Sequence, residues 1–101
     1  MAWVFAAKAE EIPDRAGRSI DLGTVRIALF RKGKSFYALR DQCPHRGGPL
    51  GEGQLTGDLV MCPWHAWEFN IKSGACEGMK GVKQDTFPTK VDRGDVFVNL
   101  A

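Results

Sequence analysis

The sequence predicts an all-β fold of antiparallel strands, and three features of its 101 residues lead there. Apolar side chains alternate with period two in a series of segments no longer than seven residues. Turn signals rich in Gly and Asp separate those segments at close spacing. The one stretch of helical composition, residues 6–12, stops at Pro13 and is too short to hold as a helix by itself. About seven short strands at this spacing imply a sandwich or barrel-like arrangement.

In chain order, AWVFAA sets Trp3 and Phe5 against Val4, and residues 6–12 read as a strand end entering a turn. TVRIALF places Val25, Ile27 and Leu29 on one face. A tight KGK turn at residues 32–34 leads into SFYALR; the basic RKGK cluster around it is read as a soluble hairpin tip. TGD at residues 56–58 opens the strand DLVMC, and KSG at residues 72–74 marks a further turn. FPTKV and DVFVNL close the chain, joined by DRGD at residues 92–95.

Bulk composition narrows the function classes. At 44% hydrophobic and 26% charged residues, the chain is globular rather than disordered, and its length fits one domain. The net charge of +2 comes from interleaved acids and bases, with no basic run of the kind that marks a nucleic-acid partner. No apolar stretch approaches the ~20 residues of a membrane span, and the start MAWVFAAKAEE lacks the basic lead of a signal peptide. The expected compartment is the cytoplasm, where structural disulfides do not persist. Three cysteines are then left to be explained otherwise.

Two of them stand in similar loops. CPHRGGPL begins at Cys43 and CPWHAWEF at Cys62, and the two blocks hold both histidines of the chain. The pattern is Cys43-x-His45, sixteen residues, then Cys62-x2-His65. Four such donors on two loops point to a metal. A Cys2His2 zinc site groups its cysteines and then its histidines. Here the types alternate; a single tetrahedral ion tolerates that order, but nothing in it favours one. A [2Fe–2S] centre with thiolates on one iron and imidazoles on the other asks each loop to supply one residue per iron, which is the alternation observed. The sulfurs of such a centre need hydrogen-bond donors, and Gly47 and Gly48 let backbone N–H groups come close. The stretch CPHRGGPLGEGQLTG holds five glycines and two prolines and reads as an ordered loop rather than a linker.

These blocks resemble the Rieske iron–sulfur motif, and the likeness extends through GEGQLTGDLVMCPWH and WEFNIKSG to the ferredoxin-type members of that family. The resemblance implies one domain over residues 1–101, built as three stacked antiparallel β-sheets with a small cluster-binding subdomain of two loops at about residues 42–70. It implies a [2Fe–2S] cluster held by Cys43, His45, Cys62 and His65. High-potential members carry an extra cysteine in each loop, joined as a disulfide; the matching positions here are Gly48 and Trp64. Their serine and tyrosine donors to the cluster sulfurs match Trp67 and Phe69, which have no hydroxyl.

Around the ligands, Trp64 and Trp67 are expected to pack over the cluster and exclude water, with partner docking the lesser reading. Pro63 and Leu50 read as further shielding. Arg46 suits either an acidic partner or a local carboxylate such as Glu68. Cys76 reads as a small half-buried thiol.

The functional expectation is a one-electron carrier rather than an enzyme. Both histidines are committed to the cluster, so none remains for the mononuclear iron of an oxygenase. No G-x-G-x-x-G fingerprint follows a strand, which argues against direct hydride transfer from NAD(P)H. The family resemblance implies a flavin-dependent reductase upstream and a terminal ring-hydroxylating oxygenase downstream. The alternative is the small subunit of an NAD(P)H nitrite reductase, held by its large subunit. Because the two hydroxyl donors are missing, a dye-mediated redox titration should place the potential at the low end of the Rieske range, about −150 mV; a value well above zero contradicts this reading.

Overall fold

The computed structural model describes residues 3–44, 47–64 and 67–100. Within them run eleven strands: β1 (Trp3–Lys8), β2 (Ala16–Asp21), β3 (Arg26–Lys32), β4 (Ser35–Arg40), β5 (Gln54–Thr56), β6 (Leu59–Met61), β7 (Glu68–Asn70), β8 (Cys76–Glu77), β9 (Thr86–Phe87), β10 (Thr89–Asp92) and β11 (Asp95–Asn99). They form three antiparallel sheets, ordered β1-β11-β10, β2-β3-β4-β9 and β5-β6-β7-β8. The count exceeds the expected seven because several strands are only two or three residues long, below what alternation can register. Among the described residues no helix is long and apolar enough to cross a membrane.

Strand β3 explains the layering. Ile27, Ala28, Leu29 and Phe30 are all fully buried, so both faces of this strand are covered. Ile27 and Leu29 meet Ala38, Val96, Val98 and Ile12 in the core between the first and second sheets. Ala28 and Phe30 turn the other way, joining Leu39, Leu50, Val60, Phe69 and Ile71 beneath the third sheet. The second sheet is thus the middle layer, which is why its central strand reads as a continuous apolar run.

The first strand carries the expected alternation but hides its smaller side chain. A bulge between Phe5 and Ala7 shifts the register on β11, so Ala7 enters the core while Phe5 stays 50% exposed. Phe5 packs edge-on against Phe97, with centroids 6.2 Å apart. The segment FPTKV is not one strand. Pro88 lies between β9 in the middle sheet and β10 in the first, and carries the chain from one layer to the next.

The third sheet, running on to Glu77, supports the Cys/His loops from below and is tied to the middle layer by charge. Asp58, in the β5–β6 turn, hydrogen-bonds Lys32 of β3, and Lys72 Nζ lies 3.6 Å from its other oxygen. The hydrogen bond from Lys32 is the main reason the Asp58 carboxyl sits below its ordinary value of 3.8. A carboxylate with a depressed folded-state pKa stabilises the fold above its unfolded pKa, and that contribution is lost as pH falls through the folded value. Asp58→Asn is therefore expected to lower the denaturant midpoint at neutral pH, and the gap to wild type should close as pH drops below about 3.8; an unchanged gap across that range refutes the tie.

Candidate metal centre

Each Cys/His loop is pinched shut in the same way. The Cys43 N–H donates to the Gly48 carbonyl at 2.9 Å, and the Cys62 N–H donates to the Trp67 carbonyl at 2.7 Å. In both loops the cysteine closes onto the residue five places ahead (48 − 43 and 67 − 62). Inside the first loop, Gly47 adopts a left-handed backbone (φ +79°) and its N–H donates to the Cys43 carbonyl at 2.7 Å. His45, Arg46 and His65, expected as two ligands and a neighbour, lie outside the described residues.

The two loops bring their cysteines together. Cys43 and Cys62 are each 1% exposed and share one buried cluster with Leu50, Val60 and Phe69. Neither is in a disulfide. Gly48 marks the meeting point: a β-carbon built there would stand 2.8 Å from Cys62 Sγ and 3.0 Å from Trp64 Cγ. Positions 48 and 64, where high-potential relatives carry a bridging cysteine pair, are therefore face to face here, and a glycine fills the space against an indole.

Gly48 also answers the question of donors. Its N–H is buried and makes no hydrogen bond to another described residue. The N–H of Gly47, expected to share that role, closes its own loop. Two buried soft thiol donors on facing loops fit an iron–sulfur group.

The expected shielding divides differently. Leu50 is fully buried and Trp67 packs partly buried on the same core, as a water-excluding wall requires. Trp64 is 63% exposed and Pro63 is exposed too, so both stand at the surface beside the buried Cys62. The Trp64 indole approaches Gly48, and Met61 lines the same depression beside it. Cys76 is 8% exposed, and burial pushes its thiol above the ordinary 9.0, as suits an inert core thiol.

Two supporting residues escaped the sequence reading. Asp41, 1% exposed, accepts from the Ser19 hydroxyl at 2.8 Å and the Gly51 N–H at 2.7 Å, with Arg26 Nε 3.4 Å away. Its own N–H and carbonyl bond Arg26 and Leu50. The residue thus fastens the first loop to β2 and β3 at both backbone and side chain. Gln84, also buried, donates to the carbonyls of Arg40 and Gln42 at 2.9 and 2.6 Å and so holds the chain entering that loop. Neither carries a local signal, since Ser19, Gly51, Arg40 and Gln42, which their side chains reach, lie 10 to 44 residues away.

Comparison with known proteins decides the family. The model of the Rieske [2Fe-2S] domain matches residues 2–92. The chain belongs to the Rieske [2Fe-2S] family. As a Rieske domain it carries a [2Fe–2S] cluster. It is 35% identical over 99 residues to the 3-phenylpropionate/cinnamic acid dioxygenase ferredoxin subunit of Escherichia coli (strain K12), spanning 96% of this chain and 92% of that one. Among solved structures, a chain in the complex of reduced oxygenase and oxidized ferredoxin in carbazole 1,9a-dioxygenase superposes with a TM-score of 0.87 at 31% identity, over 96% of this chain and 92% of that chain. A protein described as a nitrite reductase NADPH small subunit gives a TM-score of 0.85 at 25% identity, over the full length of both chains. These similarities agree with the all-β architecture of three antiparallel sheets.

The backbone of Gly48 is of the ordinary negative-φ kind, so replacing it tests space alone. Gly48→Ala forces its new methyl against Cys62 and Trp64, and the purified variant should retain roughly half or less of the wild-type iron and acid-labile sulfide. Full loading of Gly48→Ala would show that the loops do not need this approach.

Proposed function

We propose that this chain is a one-electron carrier of a multicomponent oxygenase system, relaying electrons from an NAD(P)H-dependent flavin reductase to a terminal oxygenase in the cytoplasm. Residues 1–101 act as one Rieske domain, whose cluster-binding part spans about residues 42–70. Cys43 and Cys62 hold one iron as thiolates, and His45 and His65 hold the other through ring nitrogens. When bound, the cluster supplies a centre that takes up and gives back a single electron.

The observation that carries this reading is the unequal burial of the two loops. Their cysteines are sunk to 1% exposure against the middle sheet, while Pro44, Pro63 and Trp64, next along each loop, are exposed. The chain's own residues thus grip from below and leave a rim above. Leu50, Trp67 and Phe69 keep water from the sulfur side. A backbone N–H donated to a sulfur favours added negative charge there, and Gly48, beside Cys62, is the residue we assign to it. On the rim, Trp64 and Met61 offer an apolar surface to a partner that binds and leaves, and no deep substrate cavity is required of a carrier. The likeness to the E. coli ferredoxin subunit, end to end, supports the same role.

A second reading keeps a specific support. The outer face of the first sheet exposes Phe5 beside Phe97, with Lys90 Nζ 4.5 Å from the Trp3 ring centre. Such a face suits a permanent large-subunit contact, as the likeness to a nitrite reductase small subunit also does. A carrier expressed alone is a cluster-loaded soluble monomer; an obligate subunit aggregates.

Dithionite-reduced protein should give an EPR spectrum whose average g is lower than that of an all-cysteine cluster, with two irons and two acid-labile sulfides per chain. His65→Ala should remove that signal while leaving the β-sheet circular dichroism in place. A colourless single ion, or iron without labile sulfide, overturns the ligand assignment.

A further inference from the structure

Among the described residues, Asp41 and Gln84 are the two buried polar side chains, and they hold the first loop to different parts of the fold. Asp41 bonds Ser19 of β2 and the Gly51 N–H, with Arg26 of β3 beside it. Gln84 reaches the third sheet instead. Its N–H donates to the Gly74 carbonyl at 2.8 Å, and the Gly74 N–H donates to the Asn70 carbonyl at 2.8 Å. Asn70 ends β7, the strand that leaves the second loop. Position 74 has no room for a side chain: its backbone is left-handed (φ +80°), and a β-carbon there would collide with the Gln84 carbonyl oxygen.

From that seat the side chain of Gln84 turns to the first loop. Its amide nitrogen donates to the carbonyls of Arg40 and Gln42, at 2.9 and 2.6 Å, and Gln42 directly precedes Cys43. The Asp85 N–H donates to the amide oxygen at 3.0 Å, which leaves the nitrogen end for the two carbonyls. The neighbouring backbone is pinned as well, since the Arg40 N–H donates to the Asp85 carbonyl and the Cys43 N–H to Gly48. One residue therefore joins the hairpin that leaves one ligand loop to the strand that enters the other.

We propose that Gln84 is a positioning residue of the metal centre, fixing the first loop against the sheet that carries the second and so setting how firmly the cluster is held. The inference rests on the ligand assignment above, in which both loops grip one cluster. Asp41 ties the first loop to the middle sheet; Gln84 ties it to its partner loop's own sheet. Replacing Gln84 by an apolar side chain takes a donor from both the Arg40 and Gln42 carbonyls, and the chain must move to find them new partners. A cluster spanning the loops then meets a spread of ligand positions. Outer supports of this kind commonly change metal retention by about ten- to a hundredfold.

The test uses the cluster-loaded full chain. Gln84→Met keeps an unbranched, buried side chain and removes the amide. Under excess EDTA it should lose its visible absorbance about tenfold or more faster than wild type. Its dithionite-reduced EPR lines should also be broader, from the spread of loop positions. The control is Thr89→Val, which removes another side-chain donor to a backbone carbonyl, that of Phe36 at 2.7 Å, where β10 meets β4. It should lose comparable stability to denaturant yet release its cluster within about twofold of the wild-type rate, with an unchanged EPR spectrum. Gln84→Asn keeps the amide but draws it back by one methylene, so its release should exceed wild type too; it carries the test where Gln84→Met takes up no cluster. Equal acceleration in the Gln84 variants and Thr89→Val would show a general loss of stability, and wild-type release in either Gln84 variant would show loops held by other means; either overturns the proposal. Failure of the ligand assignment looks different: wild type itself would hold no acid-labile sulfide.

Discussion

The structure depends on one close approach. The first loop must come near enough to the second for Cys43 and Cys62 to share a buried site, and position 48 has room for a hydrogen but not a methyl. A glycine there leaves the Cys62 sulfur approachable from the other loop and lets the Trp64 indole come up to the backbone. Where high-potential relatives close the same gap with a covalent bridge, this chain closes it by contact. The two solutions differ in what they ask of the rest of the protein, since a contact has to be held by the framework.

That framework is polar as well as apolar. Each loop is cinched by the N–H of its own cysteine, so the ligand residue also sets the loop's size. Asp41 then anchors the first loop from within the protein, with two neutral donors and an arginine on one carboxylate. A buried carboxylate is costly unless so satisfied, and removing it would leave donors without partners. Gln84 reaches the same loop from the far end of the chain, and Asp58 fastens the small sheet beneath it to β3. The loops are placed by a set of long-range polar ties laid over two apolar cores.

Seen from outside, this arrangement is a carrier's division of labour. The sulfur side is sealed by Leu50, Trp67 and Phe69, and the rim is left apolar and open at Trp64 and Met61. An exposed apolar rim beside a sealed core suits an encounter that is short-lived.

Much of this was legible in the residues themselves. The alternation of Cys43, His45, Cys62 and His65 is local chemistry, and so are the period-two strands and the glycine turns at Gly33, Gly57 and Gly94; each is set by neighbours within a few positions. What the sequence could not settle was which side of a strand faces inward. In β1 alternation sets Trp3 and Phe5 against Val4 without saying which side is inward, and past a bulge it is Ala7 that is buried while Phe5 is 50% exposed. Likewise only the folded loop shows that Trp64 approaches Gly48 while staying 63% exposed. The roles of Asp41 and Gln84 depend on segments distant in sequence lying side by side. Composition and spacing report what each residue can do; only the packed chain decides what it meets, because burial and pairing are properties of neighbours that the sequence does not keep adjacent.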